Sequence, residues 1–364
     1  MFDTDKRWKT LGEVFVNKCL KLQPGEKLMI AQEEPETWPL ALATYEAAIK
    51  AGGYPQIQLK SAYLRYAFMK YGTEAQYSWV PEIEALSMDW ADCYVALRGG
   101  YSFSTFHDIS ADVLAKNMVA HGKVSTLRWQ KTRWLLSRVP NETFAQHASL
   151  DLETVVDMYF DACLMDYEAA MVEWREWAKK MVSDKPQLVH ITGKNTDLEF
   201  EIDGRTWVAT DLEGNIPGGE VGTTPINNEK LNGQIYWENP GVFGGRLIPD
   251  MCVEWKKGKL VKATSSKNED FLNNVLSTDE GASLLGEFAF GTNKGLKHFT
   301  NDILWDEKIY GTLHIAFGRA YPQYGGENKS AIHWDVVKEM RNKGGVTVDG
   351  KYVMSNGDLL FNKI

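Results

Sequence analysis

The sequence predicts an α/β domain with a parallel sheet, followed by a β-rich α+β domain. In the first hundred residues, short apolar segments alternate with helix-like segments, a pattern typical of strands and helices in a parallel α/β fold. After Pro186 the pattern changes to short alternating strands bounded by turn residues. The chain has 364 residues, enough for two domains. We therefore expect an α/β domain over residues 1–186 and a β-rich domain over residues 187–364.

Apolar runs, turn residues and Ala-rich stretches define the elements of the first half. The predicted elements are a strand at 26–31, a helix at 39–50, a strand at 55–59, a helix at 81–88 and a strand at 92–97. Residues 151–180 have the clearest helical pattern, since apolar residues recur every three or four positions. We expect one continuous helix there. No GxGxxG or Walker motif is present, so a nucleotide site has no support.

Charge and composition exclude several classes of partner. The formal net charge is -9 and no run of Lys and Arg is visible, which argues against nucleic acid as a partner. No apolar run approaches membrane-spanning length, and the N-terminus lacks a basic start followed by an apolar segment. The four cysteines are scattered without CxxC spacing, as in reduced proteins. We expect a cytoplasmic protein without membrane or nucleic-acid partners.

A segment near the C-terminus combines side chains that bind divalent metal ions. In a strand, His314, Ala316 and Gly318 would line one face, while Ile315 and Phe317 would fill the core on the other. Histidine nitrogens and carboxylate oxygens are common ligands of divalent ions. The face that carries the histidine is otherwise kept free of large side chains.

The same arrangement recurs elsewhere in the second half. Glu287 is followed by Ala and Gly two and four positions later, and Glu220 is followed by Gly two positions later. His333 and Asp335, again two apart, supply a fourth segment, and Tyr321 adds a phenol that could contact an oxyanion. Together these segments predict a cavity for two ions and a substrate.

Each of these residues taken alone has an ordinary structural explanation. Asp335 could cap a helix over the following residues, and His314 could be a hydrogen-bonded core histidine. Glu220 could lie in a solvated turn after two glycines, and Tyr321 could serve packing alone. Glu287 is harder to explain in this way, because a carboxylate in apolar surroundings is costly unless it is paired or metal-bound.

Five segments, taken in order, resemble the thermophilic metalloprotease family, whose members include aminopeptidases T and S. The segments are Ile216–Val221, Leu285–Ala289, Leu313–Gly318, Tyr321-Pro322 and Ser330–Asp335. The resemblance covers roughly residues 190–364, while the first half is similar only as a generic α/β domain.

The resemblance implies a catalytic β-rich domain that binds two divalent ions, Zn, Co or Mn, with a hydroxide between them. It places the metal ligands at Glu220, Glu287, His314, His333 and Asp335. Tyr321 becomes the catalytic phenol, and Glu220 belongs to the catalytic set as well as to the ligands. The implied activity is hydrolysis of the N-terminal amide bond of peptides or amino-acid amides. The resemblance also implies a homodimer.

Two other functions compete with this interpretation. The fold also resembles that of non-haem Fe(II) ring-cleaving dioxygenases of hydroxypyridines, which use two histidines and one carboxylate. Those enzymes carry a histidine where this chain has Glu287, so the glutamate favours the two-metal hydrolase. The third possibility is a non-catalytic binding protein on the same scaffold, and the intact ligand set and Tyr321 argue against it.

Overall fold

The structure is a computed structural model that describes residues 5–182, 187–202, 204–210, 212 and 214–360. The chain forms two compact units. The first consists of Met1–Met165 with Leu212–Pro217, and the second of Asp166–Asp211 with Gly218–Ile364. The predicted domain boundary at 186/187 adjoins residues 183–186, which lie outside the described ranges, and it stays a prediction.

Helices are concentrated in the first half of the chain and strands in the second. The helices are α1 (Lys6–Val14), α2 (Trp38–Lys50), α3 (Ala62–Tyr71), α4 (Glu74–Tyr77), α5 (Glu82–Trp90), α6 (Ala111–Lys131), α7 (Glu142–Ala148), α8 (Leu152–Cys163), α9 (Tyr167–Met181), α10 (Glu269–Leu276) and α11 (Ile303–Asp306). A π-helical turn at Phe15–Cys19 and 3-10 turns at Pro35–Thr37 and Pro322–Tyr324 complete them. Within the described ranges, none has the length and apolar character that a bilayer-spanning helix needs.

The strands fall into two groups separated by the long helices α8 and α9. The strands are β1 (Lys27–Glu33), β2 (Tyr54–Lys60), β3 (Cys93–Arg98), β4 (Arg133–Arg138), β5 (Leu188–Gly193), β6 (Thr196–Glu201), β7 (Val208–Thr210), β8 (Gly214–Ile216), β9 (Glu220–Thr223), β10 (Asn232–Tyr236), β11 (Gly241–Phe243), β12 (Arg246–Ile248), β13 (Cys252–Lys256), β14 (Lys259–Thr264), β15 (Leu285–Gly291), β16 (Thr312–Gly318), β17 (His333–Glu339), β18 (Gly345–Val348), β19 (Lys351–Ser355) and β20 (Asp358–Leu359).

The first unit is built on a parallel sheet in the order β2-β1-β3-β4-β8. The strands and helices predicted in the first hundred residues are all present, with ends that differ by one or two residues. The central strand β3 is buried over almost its whole length, as expected when helices cover both faces of a parallel sheet. The predicted α/β fold with a parallel sheet is confirmed.

The single helix predicted over residues 151–180 is wrong, because the segment forms two helices, α8 and α9. Asp151 accepts a hydrogen bond from the backbone N–H of Thr154, and Asp166 accepts one from that of Ala169. Each aspartate is therefore an N-cap that begins a helix. The apolar spacing continues across the break, so periodicity alone does not reveal it.

The second unit contains an eight-stranded sheet, β14-β13-β10-β6-β5-β18-β19-β20, and a five-stranded sheet, β17-β16-β15-β9-β7. Aromatic side chains join them. Phe200 of the larger sheet packs edge-on against Phe288 of the smaller, with ring centroids 5.2 Å apart, and Trp255 stacks on Phe317 at 5.9 Å. Because these rings fill one face of the five-stranded sheet, its other face is left for polar side chains. The predicted β-rich second half is confirmed.

Replacing Phe317 with alanine tests this aromatic layer. The Phe317 ring is fully buried and lies against Trp237, Trp255 and Trp334, so its removal leaves a cavity. We expect Phe317→Ala to lower the free energy of unfolding by about 3–5 kcal/mol, measured by denaturant titration with circular dichroism. The exposed strand position in Val261→Ala is the control, with an expected change below about 0.5 kcal/mol. Equal stability of the two variants would contradict the prediction.

Candidate metal centre

All five predicted ligands lie in the five-stranded sheet of the second unit. Glu220 is the first residue of β9, Glu287 lies in β15 and His314 in β16. His333 and Asp335 both belong to β17. Asp335 is therefore a strand residue and does not cap a helix.

The register of the antiparallel strands places the five side chains on one face. Ala289 pairs with Gly222 on one neighbouring strand and with His314 on the other, and Gly318 pairs with His333. Residues paired across antiparallel strands share a face, as do residues two apart along a strand. The two glutamates, two positions before Gly222 and Ala289, and the aspartate two positions after His333 thus lie on this same face.

Small residues separate the donor side chains on this face. A Cβ atom added to Gly222 would lie 2.6 Å from the Cβ of Ala289, far inside van der Waals contact. Ala289 and Ala316 are themselves fully buried. Glycine and alanine at these positions therefore let the carboxylates and imidazoles approach one another, as the alternation in the sequence predicted.

Glu287 occupies the middle of the cluster. Its Oε1 lies 3.7 Å from Nε2 of His314, and its Oε2 lies 3.4 Å from Nε2 of His333. Beside His314, Glu220 Oε2 is 3.7 Å from the same His314 nitrogen. Beside His333, Asp335 Oδ2 is 3.4 Å from the same His333 nitrogen. One carboxylate is thus shared by two groups of donors.

Each group has a spacing that fits one metal ion. Two donors about 2.1 Å from one tetrahedral ion lie about 3.4 Å from each other, close to the separations of 3.4 and 3.7 Å in the cluster. The buried atoms Asp335 Oδ1 and His314 Nδ1 have no hydrogen-bond partner among the described residues. Buried polar atoms normally find a partner, so the donor set fits a divalent metal that these residues would hold.

Neighbouring backbone groups orient the ligands. His333 Nδ1 lies 2.6 Å from the carbonyl oxygen of Arg319, an arrangement that leaves Nε2 facing the carboxylates. Tyr167 accepts a hydrogen bond from the backbone N–H of Gly218 at 2.9 Å, and the Asn293 amide donates to the Gly218 carbonyl at 2.7 Å. Gly219, which follows, has a φ of +123°, a conformation that suits glycine. These contacts fix the approach of the chain to β9.

Electrostatic interactions in the cluster favour charged imidazoles and charged carboxylates. Burial opposes the charged form of His314, but Glu287 and Glu220 raise its pKa to about 9. Burial acts likewise on His333, whose pKa is nevertheless raised to about 12 by Asp335 and Glu287. In return, burial would raise the pKa of Asp335, yet His333 lowers it to about 2. The imidazoles thus carry protons that a metal ion would have to displace.

Two charged residues of the cluster were not predicted from the sequence. Glu307 supplies a carboxylate oxygen within 4.8 Å of ligand atoms of His314 and Asp335, and burial raises the pKa of Glu307 to about 7. Lys308 is buried, and its Nζ lies 2.5 Å from Glu220 Oε2 and 2.9 Å from Glu307 Oε1. Their sequence signal is a run of charged residues enclosed by apolar ones, Ile303–Tyr310.

Tyr321 lies beside the cluster. Its ring centroid is 4.6 Å from that of His333, and burial raises the pKa of the phenol. The hydroxyl therefore keeps its proton at neutral pH and can donate a hydrogen bond. The structure brings all six predicted site residues into one neighbourhood of the second unit.

The fold is shared with two solved structures. The structure of wild-type AmpT from Thermus thermophilus matches with a TM-score of 0.85 and 21% identity, covering 98% of this chain and 99% of that chain. The structure of 2,5-dihydroxypyridine dioxygenase from Pseudomonas putida KT2440 matches with a TM-score of 0.57 and 12% identity, over 97% and 96% of the two chains. At these identities the likeness concerns the fold alone.

The fold and the donor cluster are those of a protein with a candidate metal site. Residues 4–359 match the family described as thermophilic metalloprotease (M29), and the chain belongs to this family. It is accordingly a peptide-bond hydrolase that requires a divalent metal. The match includes the first half, where the sequence motifs alone gave only a generic resemblance.

Two curated relatives illustrate the similarity. Aminopeptidase 2 from Geobacillus stearothermophilus is 25% identical, with 95% of each chain covered. Aminopeptidase T from Thermus thermophilus is 31% identical over a shorter alignment, which covers 44% of this chain and 46% of that protein.

Metal binding should release protons and strengthen as the pH rises. With His314 at a pKa of about 9 and His333 at about 12, both imidazoles are protonated at pH 7 in the metal-free protein, and a ligand nitrogen must be neutral. The raised pKa values also mean that the stability from the imidazole–carboxylate pairs is complete below about pH 6.5. It is lost as the pH rises through these folded-state values, so high pH favours metal over protons.

Isothermal titration calorimetry of the metal-free protein with Co²⁺ measures this effect. Titrations at pH 6.5, 7.5 and 8.5 in buffers of different ionisation enthalpy should show proton release and an affinity that rises at least about tenfold per pH unit. The His298→Gln variant, changed outside the cluster, should behave like the parent protein. An affinity that stays constant over this range would contradict the prediction.

Proposed function

We propose that this protein is an aminopeptidase that uses two divalent ions to hydrolyse the N-terminal amide bond of short peptides or amino-acid amides. The observation that carries the proposal is the position of Glu287 between two donor groups. Glu220 and His314 complete the first group, and His333 and Asp335 complete the second. A shared carboxylate of this kind is what a two-ion site needs.

Charge balance supports two ions. The carboxylates of Glu220, Glu287, Asp335 and Glu307 bring four negative charges when ionised, and Lys308, which pairs with Glu220 and Glu307, offsets one of them. Zn, Co or Mn would each satisfy the nitrogen and oxygen donors. When bound, a pair of such ions would lower the pKa of a water shared between them toward 7, supplying hydroxide, and would polarise the scissile carbonyl.

The chain's own residues carry out the remaining steps. The Tyr321 hydroxyl donates a hydrogen bond to the oxyanion that forms as the carbonyl is attacked. Glu220 acts both as a metal ligand and as a catalytic residue. Its carboxylate is kept charged by Lys308, whose Nζ lies 2.5 Å from Oε2. Glu307, with a pKa of about 7, is a second carboxyl suited to carry a proton near neutral pH. A free α-amine of the substrate would pair with the acidic cluster, which explains a requirement for an N-terminus.

The named relatives support this substrate class. They are aminopeptidases, and the cluster has four carboxylates rather than the single carboxylate of a two-histidine iron site. This composition favours hydrolysis over the ring-cleaving oxidation performed by the structurally similar dioxygenase. We also propose a cytoplasmic homodimer. The four cysteines form no disulfide bond among the described residues, which suits a reducing compartment, and the dimer rests on the family resemblance.

Metal analysis and a peptidase assay test the proposal together. We expect about two Zn, Mn or Co ions per chain by plasma mass spectrometry and hydrolysis of leucine p-nitroanilide that stops after chelation and returns with Co²⁺. N-acetylleucine p-nitroanilide, which lacks the free amine, should not be hydrolysed. One iron per chain would support the dioxygenase instead. Inactivity of the fully metallated protein on all aminoacyl p-nitroanilides would refute the aminopeptidase proposal.

Two variants separate metal binding from chemistry. Glu287→Ala removes the shared carboxylate and should abolish both metal retention and turnover. Tyr321→Phe removes only the phenolic proton donor and should lower kcat about 10²–10³-fold while the metal content stays at the parent value. The measurements are metal content after dialysis and steady-state kinetics on leucine p-nitroanilide.

The control for these variants is Glu229→Ala, which removes an exposed carboxylate of the same unit that belongs to none of the donor groups. It should keep its metal and its turnover. A metal-replete, fully active Glu287→Ala variant would show that the shared carboxylate is not a ligand.

A further inference from the structure

The first unit contains a cavity of about 540 Å³ that shares no residue with the metal centre. Its floor is formed by strand ends, including Glu33 of β1, Lys60 of β2 and Arg98 of β3. Helices α3, α5 and α6 supply its walls, with residues such as Leu64 and Arg128. The volume falls in the range of pockets that bind small molecules.

The cavity lies where the topology of the sheet predicts a ligand. In the order β2-β1-β3-β4, the chain reverses its direction of travel between β1 and β3. Ligands of open parallel sheets bind at this switch point, outside the carboxyl ends of the strands. In the register, Glu33 is paired with Lys60 on one side and with Arg98 on the other. All three residues end their strands and line the cavity.

The lining carries an excess of positive charge. Lys60 is neutralised by Glu84, whose Oε2 lies 2.5 Å from the ammonium nitrogen. The remaining charged groups of the lining are three guanidinium groups, from Arg65, Arg98 and Arg128, and the single carboxylate of Glu33. The other titratable lining group near neutrality, His121, adds no positive charge to this excess, since burial lowers its pKa.

The guanidinium groups have few anionic partners. Arg128 Nε is buried and has no hydrogen-bond partner among the described residues, while its guanidinium stacks on the Trp134 ring at 4.5 Å. Burial and the charge of Arg98 lower the pKa of Arg128 to about 10. Over the part of the chain that the structure describes, Arg98 makes no side-chain hydrogen bond or ion pair. Because half-buried cations without a counter-charge lose part of their hydration, these arginines, all of intermediate burial, favour an anionic ligand.

The neighbouring helix N-terminus is already occupied. Glu34, which follows β1 with a φ of 66°, accepts hydrogen bonds from the Ser61 hydroxyl at 2.9 Å and from the Ala62 N–H at 2.6 Å. Its carboxylate thus takes the place that an anion would take at the start of α3. The recognition of a ligand anion therefore falls to the arginines.

Apolar side chains form the rest of the lining. Leu64, Phe68, Trp79 and Met118 all contribute to it, and each is at least one-third exposed. Exposed aromatic and aliphatic side chains around a polar centre are the usual composition of a small-molecule site. The ligand that fits has an apolar body beside its anionic group.

We propose that this cavity binds a small organic carboxylate with an aromatic or branched aliphatic body. The carboxylate contacts Arg98 and Arg128, which suit its planar geometry, and the apolar body contacts Trp79 and Met118. The site is independent of the proposed peptidase activity, because its residues take no part in the metal centre.

Calorimetric titration of the metal-loaded protein with three probes tests the proposal. N-acetyl-L-phenylalanine carries both features of the ligand, its amide analogue lacks the charge, and inorganic phosphate lacks the apolar body. We expect saturable binding of N-acetyl-L-phenylalanine at one site per chain, at least about tenfold tighter than either of the other probes. No saturable binding of N-acetyl-L-phenylalanine, or equal binding of its uncharged amide, would overturn the proposal.

Variants locate the binding site. Arg98→Met and Arg128→Met should each weaken binding at least about tenfold, and Trp79→Ala, at a partly exposed rim position, should weaken it several-fold without disturbing the core. Lys123→Met is the matched control, since Lys123 is an exposed cation of α6 outside the lining. The affinity of this variant for N-acetyl-L-phenylalanine should equal that of the parent protein.

The variants also distinguish this site from the metal centre. If the carboxylate bound only to the metal ions, Arg98→Met, Arg128→Met and Trp79→Ala would all bind as the parent protein does, which would overturn the proposal. Turnover of leucine p-nitroanilide should be unchanged in Trp79→Ala and Lys123→Met, so that failure of the peptidase assay and failure of this binding site are separate results.

Discussion

Burial of several like charges on one sheet face is the constraint on which the second unit depends. Carboxylate oxygens of Glu287 lie within 4.8 Å of those of Glu220 and of Asp335, and the mutual repulsion and desolvation of these groups would destabilise the fold unless cations compensate. Two imidazoles and one ammonium group of the chain itself compensate the negative charge. The aromatic layer behind the sheet keeps the strands in the register that brings these groups together.

Much of this arrangement could be predicted because strand periodicity relates sequence to faces directly. A donor followed by small residues at every second position indicates which face stays open, and three separate segments repeat this pattern around Glu220, Glu287 and His314. The order of the five segments along the chain then indicated the thermophilic metalloprotease family. The parallel sheet followed in the same way from apolar runs that alternate with helical segments.

Other features could not be predicted because they depend on contacts distant in sequence. Glu307 and Lys308 lie outside any strand, and only the folded chain shows that they meet Glu220. The break between α8 and α9 is hidden because the apolar spacing continues through Asp166. The cavity of the first unit depends on arginines from one strand and two helices, whose convergence no local pattern reveals.

The buried ammonium of Lys308 has a consequence for how the enzyme matures. Small zinc domains remain unfolded until metal arrives, since the ion itself supplies the cohesion of the fold. Here a permanent cation already sits against two carboxylates, so a newly synthesised chain has an internal counter-charge from the outset. We therefore expect folding and metal binding to be separable, with the ions binding to a chain that has already folded.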